Sequence, residues 1–224
     1  MKIISFINRK GGVGKSKLTQ IVCNHLHKTG KKIVVFDMDP QHSIYDLRRV
    51  ELAEMKVKGK KIETYPILPV KPQKLLESIK PFYQEGYDYV FLDLPGSFEV
   101  PYVKDIYTWL DYTFVPMGTS PEDMMSTKSF ISLMEEEIKP RREQKNLIYS
   151  MHGVFNRVDP KMLRFKEVKE NTSRLFKVPF LDNYFTEQKS AFQDQASTIY
   201  PYRTNKGFQA VNDFCYEVEQ IISN

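Results

Sequence analysis

The residues best suited to chemistry stand together near the N-terminus, in the segment Lys10-Gly-Gly-Val-Gly-Lys-Ser16 that follows a short apolar run. The glycines lack the Cβ that would keep backbone N–H groups away from phosphate oxygens. Lys15 can place a positive charge beside the β- and γ-phosphates, and the hydroxyl of Ser16 suits Mg²⁺. A helix beginning near Ser16 would add free amides and the positive end of its dipole. The segment predicts a nucleotide-phosphate site, with a glycine turn between surface lysines as the alternative.

This segment departs from the ordinary phosphate-loop pattern G-x-x-x-x-G-K-[ST], because Arg9 stands where the first glycine is expected. A second lysine, Lys10, precedes the glycines instead. With these features the segment resembles the deviant Walker A signature of the ParA/MinD family of P-loop ATPases, and within it the ParA-type partition ATPases. The resemblance implies ATP and Mg²⁺ as cofactors, with slow, partner-stimulated hydrolysis of ATP to ADP and phosphate.

Further motifs extend the resemblance along the chain. The segment Asp37-Met-Asp-Pro-Gln41 follows the second apolar run, and Asp93-Leu-Pro-Gly96 resembles the family's Walker B segment. Later strand ends of the family are resembled by Val115-Pro-Met117, Ser120-Pro-Glu-Asp123 and Phe155-Asn-Arg-Val-Asp-Pro160. The similarity therefore covers Met1 to about Pro160 well and the remaining segment more loosely.

The resemblance implies a role for each polar residue in these motifs. Lys15 would bind phosphate, Ser16 would coordinate Mg²⁺, and Asp93 would hold the metal through water. Asp39 would orient the attacking water, and Asp37 would support the network on the phosphate side. Phosphoryl transfer needs mainly positioning and neutralisation of charge, which agrees with this division. For each aspartate the alternative is a carboxylate that caps the following helix.

Two residues are expected to act at the edges of this site. The resemblance implies that Lys10 reaches across a nucleotide-sandwich homodimer to the partner's phosphates, as an arginine finger acts in trans, the alternative being a surface lysine. It implies that Asn156 hydrogen-bonds adenine, because an amide offers both a donor and an acceptor. An Asn-Arg turn at a strand end is the alternative there, and Arg157 has no assigned role. The catalytic residues expected are Lys10, Lys15 and Asp39, and the nucleotide-binding ones are Gly11, Gly12, Val13, Gly14, Lys15, Ser16, Lys17, Asp37 and Asn156.

Lys17 is the main departure from the family pattern. Family members usually carry a second hydroxyl residue after the Mg²⁺ ligand, and here that position is Lys17. A hydroxyl contact to the α-phosphate must then be lost or replaced. Lys17 either supplies charge at that phosphate or faces solvent, and the sequence leaves both possibilities open.

The elements that position these residues alternate along the chain. Apolar runs rich in β-branched and aromatic residues predict strands buried on both faces; they are Ile3 to Ile7, Lys32 to Phe36, Tyr87 to Leu92, Tyr112 to Val115 and Leu147 to Phe155. Apolar spacings of three, four or seven predict helices between and after them; their inward residues are Leu18, Ile21, Val22 and Leu26, then Met124, Ile131, Met134 and Ile138, and finally Phe208, Val211, Cys215, Val218 and Ile222.

This alternation predicts an α/β fold, a P-loop NTPase with a mostly parallel sheet covered by helices on both faces. Ligands should gather at the carboxyl ends of its strands. We expect one domain over residues 1–224. The stretch from Lys56 to Lys61, rich in lysine and containing Gly59, predicts an exposed turn or hairpin.

Composition limits the function classes. The N-terminal apolar run is too short for a signal peptide or a membrane span, and no other run approaches membrane length, so we expect a cytoplasmic protein. Cys23 and Cys215 support neither a disulfide framework nor a C-x-x-C site. They are also poorly placed to hold a cluster like that of nitrogenase reductase. The four histidines have no metal-ligand spacing.

The resemblance also implies what the ATPase serves. An ATP-bound dimer of this family commonly binds DNA non-specifically and is stimulated by a ParB-like partner, so that plasmid, mobile-element or chromosomal DNA is partitioned. With its net charge of +5, the chain offers basic residues after Asn156 on a helix that should bury Met162, Phe165 and Leu175. The DNA contacts predicted are Lys161, Arg164, Lys166, Lys169, Arg203 and Lys206, with Arg174, Lys177 and Lys189 nearby. A solvated basic face is the alternative.

Two other functions are weighed against partition. A membrane-site ATPase like MinD needs a basic C-terminal amphipathic helix, whereas the last residues carry Glu217 and Glu219, so we expect no membrane binding. A regulatory or assembly ATPase that acts on a protein partner, for example in conjugation or secretion, without binding DNA, remains an open alternative.

Overall fold

Six short apolar segments form one parallel sheet in the computed structural model, which describes residues 1–96, 103–159, 161–186, 197–199 and 208–224. The strands are β1 Lys2–Phe6, β2 Ile33–Asp37, β3 Ile67–Pro69, β4 Tyr89–Asp93, β5 Tyr112–Met117 and β6 Ser150–Phe155. Their order across the sheet is β3-β2-β4-β1-β5-β6. Every strand pairing among them is parallel, which confirms the predicted α/β class. Past β6, two isolated parallel bridges continue the pairing. Phe180 pairs with Gly153, and Thr186 pairs with Val158.

Helices follow the strands in alternation. They are α1 Lys15–Lys28, α2 Ser43–Val57, α3 Leu75–Gln84, α4 Val103–Tyr107, α5 Pro121–Leu133, α6 Lys139–Glu143, α7 Phe165–Phe176 and α8 Phe208–Ser223. A 3₁₀ turn, Pro72–Lys74, precedes α3, and a π turn, Met134–Ile138, joins α5 to α6. Within the described ranges, no helix has the length and hydropathy needed to cross a membrane.

The core lies on both faces of the sheet, because alternate residues of each strand point to opposite sides. From β2, Ile33 and Val35 belong to a cluster that includes α1, α2 and α8 residues. Val34 and Phe36 belong to the opposite cluster, which includes residues of α3, α4, α5 and α7. Burial on both faces explains why the strands are continuous apolar runs rather than alternating ones.

The predicted inward faces are confirmed for two helices and wrong in part for a third. Every predicted core residue of α1 is buried, and so are the four of α8 whose side chains the structure describes. In α7, however, Leu175 is 58% exposed. The helix begins at Phe165, so the inward stripe runs through Val168, Thr172 and Phe176 at spacings of three and four, and Leu175 lies one residue off it.

Two strand predictions are also corrected. β3 was not predicted, because its three residues follow Pro66, end in Pro69 and give no periodic signal. It lies at the edge of the sheet, where proline is tolerated. The last strand begins at Ser150 rather than Leu147, and the side chains of Leu147 and Ile148 are exposed. The turn predicted around Gly59 is confirmed, with α2 ending at Val57 and Gly59 at φ 65°, but it joins no hairpin.

Candidate functional site

The phosphate loop connects β1 to α1 through a backbone that favours glycine. Gly12 has φ 74° and Gly14 has φ 94°, both in the left-handed region. Gly14 is the residue immediately before α1, so the loop ends at the helix N-terminus. At the exposed Gly11 an added Cβ would meet no atom of the described residues within 4 Å. Space beside the loop at Gly11 is therefore open, and a phosphate group would need such space.

The start of the loop is fixed by a residue that sequence reasoning missed. Asn8 is fully buried, and its Nδ2 donates to the Pro116 carbonyl at 2.9 Å and to Thr127 Oγ1 at 2.8 Å. Its Oδ1 accepts the Lys10 N–H at 3.2 Å. Asn8 thus joins the loop to β5 and α5. The available signal was a polar residue directly after the largely apolar run Ile3 to Ile7.

Lys15, Ser16 and Asp93 come together as predicted from the motifs. Ser16 Oγ donates to Asp93 Oδ2 at 2.8 Å, and Lys15 Nζ donates to the Lys10 carbonyl at 3.3 Å. Burial lowers the pKa of Lys15, while the charges of Asp93 and Asp39 oppose that shift. Gly96 packs against this lysine, since a Cβ there would lie 3.0 Å from Lys15 Nζ. The Walker B segment therefore supplies a close approach as well as a carboxylate.

Asp93 has the surroundings of a metal-site carboxylate. It is fully buried, and its Oδ1 has no hydrogen-bond partner within the described part of the chain. Burial raises the pKa of Asp93 to about 7, the Ser16 hydrogen bond lowers it, and Asp37 and Asp39 raise it. A hydroxyl and a buried carboxylate with an unused oxygen form the hard oxygen donor set that Mg²⁺ prefers. The residues present fit this ion.

Asp37 holds the start of α2. Its Oδ2 accepts the N–H groups of Ile44 at 3.1 Å and Tyr45 at 3.0 Å, and its Oδ1 accepts that of Asp39 at 3.3 Å. Burial raises the pKa of Asp37, while the hydrogen bonds from the Tyr45 and Asp39 N–H groups and the charge of His42 lower it. The helix-capping alternative accounts for its contacts. A further role towards phosphate stays a prediction.

Asp39 lies two residues further on and is only half-buried. Its Oδ1 accepts the Gln41 N–H at 2.9 Å. Its charge acts on both Lys15 and Asp93, raising the pKa of each. Asp39 is therefore more accessible than Asp37. It lies close enough to Lys15 and Asp93 for its charge to act on both.

Lys10 lies beside the start of α5. Its Nζ is 3.5 Å from Asp123 Oδ1 and 3.8 Å from Glu122 Oε2, and its side chain is 38% exposed. A cavity of about 360 Å³ opens here. It is lined by Lys10, Gly11, Gly12, Val13, Gly118, Thr119, Ser120, Asp123, Asn156, Arg157 and Asp159. The signature lysine is held within its own chain, and its action across a dimer stays a prediction.

Asn156 packs on the phosphate loop from the end of β6. Its Nδ2 donates to the Val13 carbonyl at 2.8 Å, and its Oδ1 accepts the Arg157 N–H at 3.0 Å. A Cβ on Gly14 would lie 2.4 Å from Asn156 Nδ2. Both ends of the amide are thus engaged within the chain. The adenine contact stays a prediction, and the amide keeps a second N–H and a second acceptor lone pair for it.

Lys17 does not face solvent, which excludes one of its two predicted placements. Its Nζ is buried, and burial lowers the pKa of Lys17 to about 8, with Glu51 opposing the shift. The side chain therefore lies within the fold, where Glu51 of α2 influences its charge. Its contact with an α-phosphate stays a prediction.

The predicted DNA-binding residues divide into three groups. Lys161, Arg164 and Lys166 are exposed at the start of α7. Lys169 is instead half-buried and donates to Asp182 Oδ1 at 2.6 Å. Arg203 and Lys206, like the neighbouring Lys189, lie outside the described residues. Cys23 and Cys215 are both free and buried in the core, which places them away from any surface cluster.

Comparison with known proteins agrees with this site. The model of the CobQ/CobB/MinD/ParA nucleotide binding domain matches residues 4–198. The chromosome-partitioning ATPase Soj of Thermus thermophilus is 24% identical over 177 residues, 66% of this chain and 69% of Soj. A protein named as arsenical pump-driving ATPase 1 of Aquifex aeolicus is 34% identical over 93 residues, 41% of this chain but only 23% of that protein's length.

Solved structures share the fold. The MinD cell division protein of Aquifex aeolicus matches with a TM-score of 0.71 and 18% identity, covering 98% of this chain and 97% of MinD. The pNOB8 ParA protein bound to nonspecific DNA matches with a TM-score of 0.66 and 18% identity, covering 100% of this chain and 99% of ParA. At this identity the likeness concerns the fold alone.

Proposed function

This chain belongs to the family of the CobQ/CobB/MinD/ParA nucleotide binding domain, and we propose that it is an ATPase that binds Mg-ATP at the loop from Lys10 to Ser16. One observation carries the proposal. The Ser16 hydroxyl is hydrogen-bonded to a buried Asp93 that keeps an oxygen free of hydrogen bonds, and Lys15 lies beside both at the N-terminus of α1. A structural serine and aspartate pair would not need the adjoining open cradle at Gly11.

The proposed division of labour combines the positions of these residues with the roles that the family resemblance implies. The loop amides and Lys15 would hold the phosphates, while Ser16 and Asp93 would hold Mg²⁺, Asp93 through water. Mg²⁺ bound there would neutralise charge on the phosphate oxygens. Asp39, half-buried and near Lys15, would orient the attacking water. Such positioning and charge neutralisation are the main catalytic needs of phosphoryl transfer.

The first test separates catalysis from binding. Asp39→Asn should lower kcat for ATP hydrolysis about 10-fold or more and leave ATP affinity within about 3-fold of the parent. The reason is that the proposed role of this side chain is to orient the attacking water and not to bind ATP. Asp93→Asn should remove the dependence of ATP affinity on Mg²⁺, measured by calorimetry with Mg²⁺ and with EDTA. Asp46→Asn, an exposed change on α2, is the control. Equal Mg²⁺ dependence in Asp93→Asn and the parent would contradict the metal assignment.

We further propose that ATP binding produces a nucleotide-sandwich homodimer. Support comes from Lys10, which lies at the rim of an open cavity next to the loop, and from the family resemblance of this lysine. Lys10→Ala should then bind ATP as a monomer and hydrolyse it more slowly. Sedimentation with a non-hydrolysable ATP analogue measures this. A Lys10→Ala protein that dimerises and turns over like the parent would exclude the trans role.

The proposed cargo is DNA. Support comes from the exposed cations Lys161, Arg164 and Lys166, and from the structural likeness to a ParA that binds nonspecific DNA. The dimer should bind random duplex DNA only with ATP, with an affinity that falls steeply as salt rises. Replacing all three cations by Gln should flatten that salt dependence, whereas Lys145→Gln should not. A ParB-like or other activating protein would stimulate hydrolysis, in partition of plasmid, mobile-element or chromosomal DNA.

A second candidate is favoured by the pairing of other cations on α7. Lys169 is bonded to Asp182, and Arg174 lies 3.7 Å from Glu170, so part of the predicted basic face is neutralised within the chain. A regulatory or assembly ATPase acting on a protein partner would need no DNA contact. ATP-dependent dimerisation without salt-sensitive DNA binding, together with ATP-dependent capture of a partner in a pull-down, would favour this candidate over partition.

A further inference from the structure

Arg157 has a backbone conformation that ordinary helix capping does not explain. Its φ is 59°, in the left-handed region that a bulky side chain rarely adopts. Among the described residues, three other non-glycine residues share this region, and each lies at or just beyond a helix end: His42 directly precedes α2, Asn146 lies three residues after α6 and Lys177 directly follows α7. Arg157 instead follows strand β6. Such outliers are typically retained where they place a functional group.

This conformation brings the Arg157 side chain back over the phosphate loop. Its Nη1 lies 4.0 Å from the position that a Cβ on Gly12 would occupy, and the residue lines the cavity beside the loop. The turn is fixed by the Arg157 N–H, which donates to Asn156 Oδ1 at 3.0 Å. Asn156 is in turn bonded to the Val13 carbonyl at 2.8 Å. The guanidinium is therefore positioned relative to the loop through the loop's own backbone.

The charge of Arg157 is not neutralised within the part of the chain that the structure describes. The other two cations of the loop are engaged, Lys10 with Glu122 and Asp123, and Lys15 with the Lys10 carbonyl. No carboxylate of the described residues lies within ion-pair distance of Arg157. Asp159 lines the same cavity, but its Oδ1 accepts the Lys161 N–H at 2.8 Å. The exposed guanidinium remains available to an anion in the cavity.

We propose that Arg157 binds the phosphate chain of the nucleotide held by its own protomer, an inference that rests on the proposed ATP binding. A guanidinium presents parallel N–H donors that match phosphate oxygens better than a lysine does. Located near Gly12, it would add a second cation to Lys15, which is bonded to the Lys10 carbonyl of the same loop. Because Lys10, the first lysine of the loop, is paired with Asp123 of α5, Arg157 supplies the positive charge that Lys10 does not offer to the phosphates.

The test measures affinities for ATP and for inorganic triphosphate, which has neither base nor ribose. Arg157→Gln should weaken both about 10-fold or more, the range expected for a charged hydrogen bond. Arg157→Lys should recover part of the lost affinity, because lysine keeps the positive charge but lacks the parallel N–H donors of the guanidinium. Arg157→Gly, which suits the left-handed backbone, should fold at least as stably and lose the same affinity. Arg141→Gln, at an exposed arginine of α6, is the control and should bind as the parent does.

The outcomes are separable. A parent protein that binds neither ATP nor triphosphate overturns the proposed function itself. A parent that binds both, with Arg157→Gln equal to it, overturns only the role of Arg157. Loss for ATP without loss for triphosphate would place the guanidinium on the adenosine instead. Repeating the measurements in a Lys10→Ala background should preserve the loss, and a loss that disappears there would mean that the arginine acts across a dimer.

Discussion

The two aspartates that follow β2 differ in what surrounds them, although they are two residues apart. Asp37 is fully buried and accepts three backbone N–H groups, two of them from the first turn of α2. Asp39 is half-buried and has one such contact, with Gln41. A carboxylate whose oxygens are consumed by a helix start is suited to holding structure. One that keeps accessible oxygen atoms is suited to orienting water.

We therefore expect substitution of Asp37 to lower the stability of the fold. Asp37→Ala leaves the N–H groups of Ile44 and Tyr45 without their acceptor, and should lower the free energy of unfolding by about 1–3 kcal/mol. Asp37→Asn keeps an oxygen acceptor and should recover most of that loss. Urea unfolding without nucleotide measures both. Asp39→Asn should change stability by no more than about 0.5 kcal/mol, and an Asp37→Ala protein as stable as the parent would refute the capping role.

At the scale of elements, the phosphate loop distinguishes glycines needed for folding from those needed for binding. Gly14→Ala meets a left-handed backbone at φ 94° and places a Cβ 2.4 Å from Asn156 Nδ2, so it should destabilise the protein by about 1–3 kcal/mol. A Cβ at Gly11 meets no atom of the residues that the structure describes, so Gly11→Ala should leave the melting temperature unchanged while weakening ATP binding. Thermal unfolding measures the stability of both variants, and calorimetry measures their ATP affinity. Equal destabilisation by the two changes would contradict the distinction.

Residues 197–199 are held on α1 and α2 by buried polar contacts that should also matter for stability. Arg48 donates to Thr198 Oγ1 and to its carbonyl, both at 2.6 Å, and Glu51 Oε2 accepts the Thr198 N–H at 2.9 Å. Thr198→Val leaves the buried Arg48 Nε without that acceptor, and should lower the free energy of unfolding by about 1–3 kcal/mol. Thr198→Ser keeps the hydroxyl and should lose less. Urea unfolding measures both, and a Thr198→Val protein as stable as the parent would contradict the role of this hydroxyl.

What the sequence predicted at this scale follows from local periodicity. The faces of α1 and α8 were predictable because each buries a regular apolar stripe, and the strands of the sheet interior were predictable because they are buried on both faces. β3 was not, since its pairing with β2 depends on a neighbour distant in sequence. The roles of Asn8 and Arg157 were also hidden, because they depend on contacts with β5, α5 and Gly12 that no motif encodes.

At the scale of the whole molecule, the carboxyl edge of the sheet collects the phosphate loop, both aspartate motifs and the end of β6, as the rule for parallel sheets predicts. The loop and the start of α5 also share one cavity, through Lys10 and Asp123. In the proposed nucleotide-sandwich dimer, Lys10 would exchange this ion pair for a contact with the second protomer. The proposed dimerisation and the internal ion pair would therefore compete for the same ammonium group.

That competition predicts how strongly the protein dimerises. Asp123→Asn removes the charge 3.5 Å from Lys10 Nζ, and should strengthen ATP-dependent dimerisation about 2- to 5-fold, the value expected for a partly exposed ion pair. Glu136→Gln, an exposed change in the π turn after α5, should not. Sedimentation with a non-hydrolysable ATP analogue gives the dimer dissociation constants. Raising salt should narrow the difference between Asp123→Asn and the parent, and a weaker dimer in Asp123→Asn would mean that Asp123 itself contacts the second protomer.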